Sequence, residues 1–322
     1  MKNRFFYLND LKSIAWLFII CICWISLVFL VSRRGTGWGF IEYNGYQSPP
    51  PFPVEKESKK PFPDKKKKVT EQSMPLPKPP EPPKKLERKF YWEDPKKVFH
   101  ETVFQIEEKL FNDELKEFGF PPQITNPYIA RMKGFKLYSH TEMGPGHQIL
   151  ESFTGEVDYR QVFKRNVPYF KTLTAELSAS AQLLPGMDPL YSFLCFVQQI
   201  RYSILPKVYR GKFIGGFFVP LVVLVEQYAD CDSKVVLLAE FLATFAGSTE
   251  KVALVKINGR GMQHAILAVK RNPLPGMNSM FDMKKGYYII METSSPGWSP
   301  GFISPRVLDV LKAGFYEFLE FN

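Results

Sequence analysis

The chain holds 322 residues, enough for one large domain or two small ones. Its formal charge is +10, but residues 1–47 carry +3 and residues 48–88 carry +5, leaving +2 for residues 89–322. The folded part is thus near neutral and lacks the basic face of a nucleic-acid binder, and four cysteines, two of them in an apolar run, make no disulfide framework.

Residues 1–12 read as a short basic tail. Residues 13–32 read as a membrane anchor. From Ile14 to Val31 the only conventional polar side chain is Ser26, and such a run spans roughly 27 Å as a helix, close to a bilayer's hydrocarbon core. A buried core helix has nothing before it to pack against, and a cleaved signal peptide needs a shorter run with a small-x-small site. Lys2, Arg4 and Lys12 precede the run, whereas Arg33 and Arg34 follow it. This bias places the N-terminus in the cytoplasm and the rest outside, in a periplasm or beyond.

Residues 33–88 read as a disordered linker, most clearly from Ser48 onward, where proline and lysine dominate. Such a segment buries too little apolar surface to offset its ordering entropy. It suits a spacer between membrane and folded domain, or a passive tether.

Within residues 89–189, apolar spacing predicts a helix over 95–118, and residues 134–157 read as strands around a Gly144-Pro145-Gly146 turn. Residues 158–182 read as helical, with Pro168 as a break or a fresh start. His140, Glu142 and His147 have no established ligand spacing and fit an ordinary turn better than a metal site.

Within residues 190–322 the elements are sharper. Asp188 as N-cap and Pro189 at the first position open a helix over 188–204, with Cys195 in its apolar core. A second helix begins near Cys231, capped by Asp232 or Ser233 and ended by Gly247. Val235 to Ala246 leave it almost no polar face, so it is predicted to be buried. Strands are predicted over 251–257, 261–269 and 285–293, with a turn at Asn258-Gly259 between the first two.

These elements carry one constellation: Cys231 at a helix start, His264 on the second strand and Glu292 on the third. A helix N-terminus favours a thiolate, an imidazole can take its proton, and a carboxylate can orient that imidazole. Asp230 and Asp232 oppose the scheme, because neighbouring carboxylates raise a thiol pKa. The plainer alternatives are a buried structural cysteine, a satisfied core histidine and a surface carboxylate at a strand end. No phosphate loop or nucleotide fingerprint is present, so no cofactor or metal is expected.

The stretches ADCDSKVVLLAEFL, GMQHAILAV and YYIIMETSSPGWSPG resemble the cysteine, histidine and acid motifs of the transglutaminase-like superfamily. The resemblance covers roughly residues 190–303. It implies an α+β, papain-like core with the cysteine helix packed on an antiparallel sheet. It implies catalysis by Cys231, His264 and Glu292 through a thioester, with a peptide, protein or wall-peptide amide as substrate. FVQQIRYSI resembles an upstream helix in which Gln198 would polarise the substrate carbonyl. Glu292 departs from the family's more usual aspartate. The expected activity is amide hydrolysis or acyl transfer, with hydrolysis favoured, by an enzyme anchored in the cytoplasmic membrane. The competing expectations are a non-catalytic envelope scaffold or peptide-binding module on the same fold, and a tether whose role lies in the spacer.

Overall fold

The computed structural model describes residues 40–41 and 84–321, apart from 125, 144–148, 185–186, 247–249 and 283–285. The two residues of β1 (Phe40–Ile41) are followed, in the main described region, by β2 (Lys85–Glu93) and β3 (Phe99–Glu107), an antiparallel pair. In β3 the side chains of Thr102, Phe104 and Ile106 are buried alternately, the two-residue period of a strand covered on one face. The helix expected over 95–118 is therefore corrected. Only its second half coils, as α1 (Glu108–Glu117), because the first half pairs with β2.

Asn126 caps α2 (Pro127–Met132), and a hairpin of β4 (Phe135–Met143) and β5 (Ile149–Val157) follows, with β1 on the outer edge of β5. The expected turn at 144–146 lies outside the described residues. Asp158 caps α3 (Tyr159–Ser180) by accepting the Gln161 amide at 3.2 Å. This helix runs through Pro168 without a break, held by the buried Val162, Phe163, Phe170 and Leu173 on either side of it.

Next come α4 (Leu190–Gln199), β6 (Arg201–Tyr202), the small hairpin β7 (Val208–Tyr209) and β8 (Lys212–Phe213), α5 (Pro220–Glu226) and β9 (Tyr228–Ala229). Then α6 (Cys231–Thr244) leads to β10 (Val252–Gly259) and β11 (Met262–Lys270). The chain closes with β12 (Ser279–Asp282), β13 (Gly286–Met291), α7 (Pro305–Lys312) and β14 (Tyr316–Glu320). The last five strands form one antiparallel sheet in the order β12-β13-β11-β10-β14.

The turn joining β10 to β11 falls at Arg260-Gly261, both with positive φ, and not at the expected Asn258-Gly259. Gly259 has a different task. A Cβ there would lie 2.5 Å from the Phe315 Cβ, so the strand needs a glycine for Phe315 to cross it.

Alternation sorts the sheet's two faces. Ala265, Leu267, Val269 and Met291 belong to the main core with α6, whereas Ile266, Ala268 and Ile290 pack with Val307, Val310 and Leu311 of α7. The main core runs from Trp92 to Phe321 and ignores the division at residue 189. Phe241 of α6 is its hub, with Phe104, Phe170, Phe193 and Phe196 around it.

The cysteine helix packs on an antiparallel sheet as expected, but the expected architecture is corrected in its wider sheet content and in its transmembrane helix. The fold is α+β with several sheets, and β6 pairs with β9 in parallel. Among the described residues no helix is long and apolar enough to cross a membrane. Residues 13–32 lie outside the described residues, as does most of 33–88, although β2 begins at Lys85 inside that stretch.

Candidate active site

The buried helix α6 starts on Cys231, and Asp230 is its N-cap, accepting the Ser233 amide at 3.3 Å. The cap thus lies earlier than the expected Asp232 or Ser233. Every residue from Cys231 to Leu242 is buried, which fixes the helix start rigidly. The preceding β9 is held against β6, where the Ser203 amide donates to the Ala229 carbonyl at 2.9 Å.

Cys231 is 6% exposed. Burial pushes its thiol well above the ordinary range, and the charges of Asp232 and Asp230 push it further. The backbone N–H groups of Ala265 and Asp232 act against them. Pairing between β11 and β13 covers only Leu267–Lys270, so at Ala265 this edge of β11 is open. The Cys231 sulfur meets the Ala265 amide there, one residue from His264.

The flanking carboxylates are organised by the fold. Asp232 Oδ2 accepts the buried Tyr159 hydroxyl at 2.5 Å, while Oδ1 has no hydrogen-bond partner. Burial, then the charge of Asp232, push the Asp230 carboxyl well above the usual range.

His264 and Glu292 come together: Nε2 of the ring lies 2.8 Å from Glu292 Oε2. Glu292 sits just past the end of β13, not within it. Its Oε1 accepts the Ser294 amide at 2.9 Å and the Ser294 hydroxyl at 2.6 Å. Burial alone would raise this carboxyl, but the hydrogen bonds and charge supplied by His264 and Ser294 outweigh it and lower it. With Nε2–H donated to Glu292, Nδ1 keeps the lone pair and is the ring's basic nitrogen.

Among the described residues no hydrogen bond joins the Cys231 sulfur to the imidazole. Alternation places His264 with Ile266 on the α7 side of β11, whereas the sulfur meets the strand at its open edge. The thiol and the His264–Glu292 pair therefore approach the same end of β11 from two directions.

Gln198 also arrives at the site, in a different role. Its amide nitrogen donates to the Glu292 carbonyl at 2.7 Å and to the Trp298 carbonyl at 2.8 Å. Both amide hydrogens are spent on the acid loop, so Gln198 holds that loop in place and has none left for a substrate carbonyl. Cys195 stands apart, half-buried against the main core and not within it as expected, its thiol raised to about 11 by burial.

Three participants were missed by motif reasoning. Lys234, fully buried, donates to the carbonyls of Gln198 and Ser294 at 3.2 Å each. A lysine opening an otherwise apolar run was its one sequence signal. Tyr159 is 73 residues from Asp232 and gave no signal. Tyr202 is 48% exposed, and its hydroxyl is raised to about 12, first by burial and then by Cys231, Asp230, Asp232 and Glu292. Its phenol therefore stands at the rim of the site. Searches for known relatives return nothing, as no protein-family model, curated protein or solved structure matches the chain.

Proposed function

We propose that this chain is a cysteine-dependent amide hydrolase or acyl transferase of transglutaminase-like character, with Cys231 as nucleophile, His264 as base and Glu292 as its orienting acid. The observation that carries the reading is the 2.8 Å His264–Glu292 bond at the strand end where Cys231 opens a buried helix. In the first half-reaction the Cys231 proton passes to His264 Nδ1 as the sulfur attacks the carbonyl carbon. The C–N bond then breaks, the leaving amine takes the proton from the imidazolium, and a thioester remains. Water, deprotonated by the same nitrogen, attacks the thioester and releases the acid with the free thiol. An amine in place of water completes acyl transfer. Active-site hydrogen bonds often tighten only on substrate binding, which suits a sulfur that meets the Ala265 amide, one residue from His264, without being bonded to the ring.

The test is labelling of the full chain by iodoacetamide, read by mass spectrometry on the peptide that contains residue 231. At pH 7 Cys231 should label faster than Cys195, and His264→Ala should slow it by about 100-fold or more. Equal rates for Cys231 and Cys195, or no effect of His264→Ala, overturn the enzyme reading.

One observation favours a second reading. A cysteine that is 6% exposed, with its sulfur unbonded to the imidazole, also suits a peptide-binding module on this fold. That reading requires a slow thiol together with saturable peptide binding.

A further inference from the structure

The helix that presents the nucleophile also carries a buried cation that the reaction scheme does not use. Lys234 lies three residues after Cys231 and is 0% exposed. Burying an ammonium costs several kcal/mol, and a methionine of similar length would fill the same space without that cost. Packing therefore does not account for the charge.

Its hydrogen bonds indicate what it does. One goes to the carbonyl of Gln198 on α4 and one to the carbonyl of Ser294 in the loop after β13. Gln198 holds that loop through the Glu292 and Trp298 carbonyls, and Ser294 holds the Glu292 carboxylate itself. Gln198 and Ser294, two of the groups that fix Glu292 besides His264, are thus fastened to the nucleophile helix by one ammonium.

The surrounding charges point the same way. Around the thiol are Asp230 at the N-cap and Asp232 from α6, Tyr159 from α3 and Tyr202 from β6, and the Glu292–His264 pair lies at the same end of β11. Of these, Asp230, Asp232 and Glu292 are carboxyl groups, and the two tyrosines stay neutral. Lys234 lies within electrostatic reach of both Glu292 and Cys231.

We propose that Lys234 is a positioning residue: its ammonium locks α4 and the Ser294 loop onto α6 and, while charged, favours the Cys231 thiolate against the carboxyl groups around it. The inference rests on the reading of Cys231 as nucleophile. Burial draws the Lys234 amine down to about 8, so it is still charged at neutral pH but loses its charge soon above it.

The experiment is the pH profile of iodoacetamide labelling at Cys231 in the full chain, with folding checked by circular dichroism. Lys234→Gln keeps amide donors for the two carbonyls but removes the charge. Its profile should move up by about one pH unit, which is about tenfold slower labelling at pH 7. Lys234→Met, which loses charge and donors, should move at least as far. A folded Lys234→Gln with the unchanged profile overturns the proposal, because a purely structural lysine would be replaced by the amide. Should neither variant fold, the unmodified chain decides. Its profile must be broader than a one-proton curve across about pH 8, and a clean one-proton curve counts against the proposal. A Cys231 that labels no faster than Cys195 at pH 7 removes the enzyme reading alone. The profile comparison is made at whatever pH the thiol ionises, so the two failures are distinguishable.

Discussion

The Tyr159 hydroxyl on α3 donates to Asp232 on α6 at 2.5 Å, and both residues are buried. This bond ties the part of the chain without recognisable motifs to the start of the nucleophile helix. Residues 89–189 are thereby part of the site's construction, supplying the donor that stabilises one of two carboxylates beside Cys231. Burial, then Asp232, push the phenol well above its ordinary value, so it stays a neutral donor at any physiological pH.

Removing that donor should be costly. In Tyr159→Phe the ring still fills its place, but Asp232, whose Oδ1 already lacks a partner, loses its Oδ2 bond as well. The expected destabilisation is about 1–3 kcal/mol by urea unfolding, since a buried acceptor is left bare. Unchanged stability would show that the bond carries nothing.

Glu292→Gln tests the acid in a more pointed way. Oε1 of Glu292 accepts two bonds from Ser294, so the glutamine oxygen must take that side. Its NH2 then faces His264 Nε2 and forces the proton onto Nδ1, the nitrogen that has to act as base. Labelling of Cys231 at pH 7 should fall by about 100-fold or more with the fold intact. The lowered Glu292 carboxyl also contributes stability that is present above the unfolded glutamate value of about 4.3 and is lost as pH falls through the folded value. The variant should lack that acid-side loss in urea titrations.

How much of this was readable in advance follows from where the determining contacts lie. The buried helix was legible because an unbroken apolar run announces burial on all sides, whatever surrounds it. Its cap was read late, since Asp230, Asp232 and Ser233 are all good caps and only the turn geometry chooses among them. Residues 99–107 carried both a helical spacing and a strand alternation. The choice was made by Lys85–Glu93, a charged partner whose composition gave no hint of a strand. The hairpin turn was displaced because Phe315, more than 50 residues away in sequence, needs the glycine that a turn signal had claimed. The roles of Gln198 and Lys234 depend on backbone carbonyls, which no residue pattern encodes.

The same long-range packing sets how the chain should unfold. Phe241 touches Phe104 and Phe170 on one side of residue 189 and Phe193 and Phe196 on the other. Phe241→Ala should cost about 3–5 kcal/mol, the range for truncating a fully buried phenylalanine. Urea unfolding of both proteins, followed by near-UV and far-UV signals, should show one shared transition. Two separated transitions would mean that the halves on either side of residue 189 fold independently.

Glu240 makes the opposite kind of prediction, a substitution that should stabilise. It is fully buried on α6, and neither carboxylate oxygen has a hydrogen-bond partner. Burial pushes its carboxyl well above the ordinary range and the charge of Glu114 adds to that, against opposition from Asn166 and Arg165. Arg165 is largely committed elsewhere, with its guanidinium 2.5 Å from Glu114. The folded chain therefore keeps a proton on Glu240 that the unfolded chain releases near pH 4.3. The folded state binds more protons above that value, so stability falls as pH rises from about 4.3 towards the folded value. Glu240→Gln keeps the shape and removes the titration. Stability measured in urea at pH 5 and pH 8 should differ less in the variant, and the variant should gain on the order of 1–3 kcal/mol at pH 8. An identical pH dependence in both proteins would place the Glu240 carboxylate in a better-solvated setting than its burial describes.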